Sequence, residues 1–181
     1  MARIMLKEVT LGFAQDLFTP TAIMGSKDEK YRCTAFVDKN SENDKAVMAA
    51  IRQVIGEKWG EKKVETILES IRNNANKFAY KDGDKTDYDG AEGRMLLSLT
   101  NKDQPTLLTR TRAPATRDQI FSGAVVNISA DIYAYEFEGM KGAAGGVRGV
   151  QFVKDDGTRW GGGGTAKEDD FDNLGGVDGE D

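Results

Sequence analysis

Residues 124–137, AVVNISADIYAYEF, alternate with the period of two that a β-strand requires. The even positions Val126, Ile128, Ala130, Ile132 and Ala134 are small or apolar and read as a core face. The odd positions run Val125, Asn127, Ser129, Asp131, Tyr133, Tyr135 and Phe137, a face polar at its start and aromatic at its end. Further strand patterns lie on either side. Downstream, the glycine-rich stretch 139–146 (GMKGAAGG) reads as a turn leading into a strand at 147–156 (VRGVQFVKDD). Upstream, 94–102 (RMLLSLTNK) and 106–112 (TLLTRTR) read as strands punctuated by Pro105 and Pro114. Near the N-terminus, 3–13 (RIMLKEVTLGF) has no cleanly polar face, as expected of a strand buried in part on both sides. The segment after Pro20 is extended, and 30–39 (KYRCTAFVDK) is another strand. Between these halves, Ser41 and Asp44 make a capping-box-like helix start. Val47, Ile51, Val54 and Ile55 then recur at helical spacing up to Gly56. Val64, Ile67, Leu68 and Ile71 form the stripe of a second short helix. The helices are grouped rather than interleaved with strands. The pattern therefore predicts a mainly β, α+β fold, a small barrel with helical cover, and argues against a doubly wound parallel sheet.

Charge divides the chain differently. Residues 1–167 hold all 25 Lys and Arg against 23 Asp and Glu, and residues 168–181 hold seven carboxylates and no base. The net charge of −5 is thus a body of +2 and a tail of −7, separated by the glycines 161–164. We expect one domain over 1–160 and a flexible Gly-rich linker with a disordered acidic tail over 161–181. A near-neutral body carrying a tethered polyanion points to a ligand that is itself a polyanion. The chain has no histidine, which removes the usual general base and the Ser-His and Cys-His nucleophile systems. A single cysteine, Cys33, excludes an internal disulfide and fits a reducing, cytoplasmic setting. No stretch approaches the roughly 20 apolar residues of a membrane helix. The polar loop 81–93 tempts a calcium reading from Asp82, but the sixth and twelfth places hold Asp87 and Gly93 instead of Gly and Glu. No cofactor or metal is expected. A metal-dependent nuclease built on Asp82, Asp84, Asp87 and Asp89 is the least favoured function, because four acids in such a loop form a solvated turn.

A barrel that presents aromatic and basic side chains on one face can bind unpaired nucleic acid. Bases stack on rings and cations track phosphates. The stacking candidates are Tyr133, Tyr135, Tyr80, Tyr88 and Trp160, and the phosphate candidates are Arg94, Arg110, Arg112, Arg117, Arg148 and Lys154. Arg110, Arg112 and Arg117 fall within eight residues. On composition alone, a β-barrel interaction adaptor whose acidic tail is its main binding element is nearly as good a reading.

Residues 121–174 resemble a family of bacteriophage single-stranded-DNA-binding proteins. The resemblance rests on Phe121 and Gly123, Val126-Asn127 with Tyr133-Ala134, and Val147 with Val150-Gln151. It continues through Val153-Lys154-Asp155 to Gly161–Gly163 ahead of Asp169-Asp170-Phe171. The N-terminal part matches more loosely, and the two early helices depart from the ordinary layout. The resemblance implies an OB-fold in residues 1–160 and non-catalytic, sequence-independent binding of single-stranded DNA during phage replication or recombination, in the cytoplasm of the infected host. From its charge and its tether, the tail is expected to compete with DNA for the binding groove and to recruit replication or recombination proteins through Asp169, Asp170, Phe171 and Asp172. Homo-oligomer formation on DNA stays open.

Overall fold

The computed structural model describes residues 1–22, 26–74, 76–160 and 171–175. Eight strands are present among them: β1 (Ala2–Gly12), β2 (Thr21–Ala22), β3 (Glu29–Asp38), β4 (Tyr80–Asp82), β5 (Arg94–Asn101), β6 (Thr106–Leu108), β7 (Val125–Phe137) and β8 (Met140–Lys154). Two α-helices, α1 (Glu42–Trp59) and α2 (Val64–Ile71), fall between β3 and β5.

Five strands close a barrel. β1 pairs antiparallel with β3 and β7, β3 with β5, and β7 with β8, while β5 and β8 close the ring in parallel. This cyclic order, with one parallel seam, is that of the OB-fold. At the seam Leu99 stands beside Gly145, where a Cβ would come 2.6 Å from the Leu99 Cδ2. The glycine-rich stretch is therefore strand rather than turn, and the missing Cβ at Gly145 leaves room for the Leu99 side chain. The actual turn is Glu138-Gly139, both at positive φ, joining Phe137 to Met140. β6 is also shorter than the pattern 106–112 predicts, since the chain turns at Arg112 with φ 67.

The alternation of 124–137 holds. Val126, Ile128 and Ile132 are fully buried in the barrel, together with Leu6, Leu97 and Val147. α1 packs on β1 and β7, with Ile51 and Ile55 buried to 2% or less. Ser41 caps α1 by accepting from the Asp44 N–H at 3.2 Å. The helix does not stop at Gly56 but runs to Trp59, ending at Gly60 with φ 103. One interior glycine costs only about 1 kcal/mol, and beyond it Trp59 packs against the core.

The residues that carry the family resemblance serve this framework. β1 bulges between Leu6 and Val9, with Glu8 at φ 55, which strands backbone groups. The Asn127 side chain accepts the Glu8 N–H at 2.9 Å, and Asn43 both accepts from and donates to the Lys7 backbone. Gln151 donates to the Arg110 carbonyl at 3.1 Å, fixing the end of β6. On the outer face of β7 and β8, Asp131 lies between Arg3 and Arg148, each at 3.1 Å. Burial pushes its carboxyl up, but the two guanidiniums prevail and hold it below the usual range.

Candidate nucleic-acid interface

Strand parity places an aromatic cluster on the outer face of β1, β3 and β5. Cys33, Ala35 and Val37 point into the barrel, so Arg32, Thr34, Phe36 and Asp38 face outward. Phe36 stands opposite Thr10 of β1, and its ring reaches across Gly12, where a Cβ would sit 2.6 Å from the ring. Trp160 packs on Phe36 with centroids 4.6 Å apart and planes tilted by 38°. With Ala91 and Leu96, these two form an apolar cluster separate from the barrel core. Gly90, at φ 78, leaves room for the indole, since a Cβ there would fall 2.1 Å from Trp160.

The segment before Trp160 is anchored. The Trp160 N–H donates to the Ser122 carbonyl at 3.3 Å. Arg159 lies 4.1 Å above the Phe121 ring and pairs with Asp155 at 2.7 Å. That guanidinium, helped by the Gly157 N–H, lowers the Asp155 carboxyl to about 2.

Phe13 completes the cluster. It leaves β1 in the left-handed region, φ 58, just before the 3-10 turn Ala14–Leu17. The Ala14 N–H donates to the Ser122 Oγ at 2.9 Å, so Ser122 positions both Phe13 and Trp160. The Phe13 ring meets Tyr88 edge-on at 5.7 Å and 87°. A cavity of about 180 Å³ opens among Phe13, Phe36, Tyr88 and Trp160, with Gly12 on its floor.

Polar ground adjoins the cavity. Beyond Phe36, a second cavity of about 290 Å³ holds Arg94 and Lys154 beside Asp38 and Glu8. Arg94 pairs with Asp38 at 2.9 Å and Lys154 with Glu8 at 3.9 Å. Such solvent-facing pairs contribute little and can be exchanged for phosphate. Farther along β3, the Arg32 guanidinium reaches the Thr21 carbonyl at 3.5 Å, while its Nε is buried with no partner among the described residues. Burial raises the carboxyl of Asp16, and the charge of Arg32 partly offsets that rise.

Of the residues expected from the sequence, Tyr88, Trp160, Arg94 and Lys154 come together here. Tyr80 does not stack and is a correction. It is 1% exposed in the core, with its hydroxyl donating to Asp44 Oδ1 at 2.5 Å. Burial, then the Asp44 carboxylate, push its phenol well above the ordinary range. Tyr133 and Tyr135 lie on the outer face of β7, near each other at 6.5 Å, and Tyr135 donates to the Asn76 carbonyl. Neither lines the aromatic cavity. Arg148 is engaged by Asp131 on that same face.

Arg110, Arg112 and Arg117 sit on the connection from β6 to β7. Arg110 donates to the Val153 carbonyl, and Arg117 donates to Thr19 and lies over Phe18. Phe171 and Asp172 are exposed, and Asp169 and Asp170 lie outside the described residues. Sequence reasoning missed Phe13 and Phe36. The available signal was parity along 33–37, which sends Phe36 outward once Cys33 and Ala35 are assigned to the core. Among the described residues no group of acids is disposed to hold a metal, and no helix is long and apolar enough to cross a membrane.

Residues 2–181 match the family described as Enterobacter phage Enc34, ssDNA-binding protein. Protein p50 of Acyrthosiphon pisum secondary endosymbiont phage 1 is 40% identical over 175 residues, 95% of this chain and 94% of that protein. The solved single-stranded DNA-binding protein from bacteriophage Enc34, in complex with ssDNA, has a TM-score of 0.72 at 20% identity, covering 88% of this chain and 89% of that one. Gp2.5, a single-stranded DNA binding protein encoded by bacteriophage T7, has a TM-score of 0.55 at 13% identity over 97% and 99%. At these identities the two solved structures share the fold.

Proposed function

The chain belongs to the phage family of the Enc34 ssDNA-binding protein, and on that premise we propose that it binds single-stranded DNA in the aromatic groove of β1, β3 and β5. The observation that carries the reading is the convergence of Phe13, Phe36, Tyr88 and Trp160 around one cavity, with Arg94 and Lys154 next to it. Rings offer faces to any unpaired base, at about 1–3 kcal/mol per base, and the cations follow the backbone without reading sequence. Nothing in this arrangement calls for bond chemistry. The protein coats exposed strands during phage replication or recombination in the infected host.

The acidic tail regulates this groove. Its Gly-rich linker begins at Gly161, directly after Trp160, itself a wall of the groove, and its acids begin at Glu168. A short flexible connection holds a tethered segment at an effective concentration on the order of millimolar. The tail therefore competes with DNA when DNA is scarce. Displaced by a strand, it is free to recruit replication or recombination proteins through Asp169, Asp170, Phe171 and Asp172.

A gel shift with poly-dT against duplex of equal length tests the reading at low salt. We expect clear preference for the single strand, since paired bases hide their faces. Equal binding of both, or of neither, would leave an interaction adaptor as the better account.

A further inference from the structure

A larger cleft lies on the other side of Tyr88 and has no part in the groove so far described. It has a volume of about 1090 Å³ and runs between α1, the end of α2, and the segment from β4 to Tyr88. Its apolar surface is Phe78, buried, with Met48 and Met95, half-buried. Arg72, Lys81 and Lys85 also line it, and none of these cations pairs with a carboxylate among the described residues. Among the described residues Lys85 reaches only the Asn73 side chain, at 3.3 Å.

The acids of the cleft are largely occupied. Asp44 accepts the Tyr80 hydroxyl on Oδ1 and the Asn40 N–H on Oδ2, at 2.5 and 2.8 Å. Asp82 pairs with Lys39 at 2.7 Å, and the Lys39 ammonium holds its carboxyl below the usual range. Asp87 alone is left exposed without such a partner among the described residues. An apolar wall with free cations beside it matches a nucleotide, whose base is apolar on its faces and whose backbone is anionic. Tyr88 lines both this cleft and the aromatic cavity, so the two surfaces are continuous across one ring.

We infer that the cleft is a second subsite for the same DNA strand, taking the nucleotides that continue past Tyr88, with Arg72, Lys81 and Lys85 on their phosphates. The inference rests on the groove being the primary DNA site. It makes the occluded length greater than the groove alone would cover.

The test is a dT length series bound by the full-length chain and by the variant Arg72→Gln/Lys81→Gln/Lys85→Gln. These side chains are exposed or half-buried, so the fold is retained, which a thermal melt verifies. For a strand of about four nucleotides, the low end of an OB-fold site, affinity should stay within about two-fold of wild type. For about sixteen nucleotides it should fall roughly ten-fold or more. The log–log salt slope should also flatten by about 0.7 for each phosphate that is no longer neutralised, near 2 for all three. Unchanged affinity and slope at every length, or an equal loss at the shortest, would overturn the subsite.

A parallel pair in the background D169N/D170N/D172N identifies the occupant. A deficit that persists there supports DNA, and one that vanishes assigns the cleft to the acidic tail and overturns the inference. Failure of the groove reading looks different, because replacing Phe13, which lines the groove and not the cleft, by alanine would then leave wild-type affinity at every dT length. If wild type binds and the triple variant matches it, only the cleft is lost.

Discussion

Replacing Phe13 and Tyr88 together by alanine is expected to weaken binding to dT by about 2–4 kcal/mol, roughly 30- to 1000-fold. Each ring offers a stacking face, and their edge-on contact at 5.7 Å makes them one platform, so the two losses will not simply add. Both side chains are exposed, Phe13 at 39% and Tyr88 at 53%, so the melting temperature should barely move. That separation of affinity from stability makes the pair more informative than Phe36, which is 3% exposed and belongs to the Trp160 cluster. The same replacement at Tyr133 and Tyr135 should leave affinity within about two-fold, because neither ring lines the groove. Fluorescence anisotropy with labelled dT reads all of these directly. A double variant that binds like wild type would remove the groove from the account.

Removing residues 165–181 is expected to tighten single-strand binding, by about ten-fold at low salt, with the two curves converging as salt rises. The tail carries seven carboxylates, and their attraction to the groove cations is screened beyond about 10 Å at 0.1 M salt. A tethered competitor near millimolar effective concentration needs only weak affinity to produce this effect. Titration at several salt concentrations distinguishes competition from a general change in charge. If the truncated chain binds no better than the full chain at any salt, the tail plays no part in the groove.

Periodicity made the barrel legible. The alternation of 124–137 and the stripes of the two helices reflect burial, and burial is where side-chain identity is most constrained. The parallel seam between β5 and β8 was hidden because glycine, which permits the approach at Gly145, also marks turns. Tyr80 misled because its neighbours Lys81, Asp82 and Asp84 read as an exposed loop. β4 instead pairs Tyr80 with Leu97 and turns its ring into the core. Phe36 was passed over, since an apolar residue in an apolar run draws no notice unless the strand parity is followed. Tyr88 and Trp160 were visible as candidates, but their meeting with Phe13 and Phe36 depends on contacts across the chain that spacing does not reveal. The motif that carries the family resemblance lies largely in scaffold. Asn127 satisfies a bulge and Gln151 a strand end, so the motif marks the framework more than the surface that touches DNA.

The groove itself can be mapped by ultraviolet cross-linking of iododeoxyuridine-substituted single-stranded DNA to the full chain, with the linked residues read by mass spectrometry. Cross-links on Phe13, Tyr88 and Trp160 are the expected result. Cross-links confined to Tyr133 and Tyr135 would place the strand on the opposite hairpin and contradict binding in the groove.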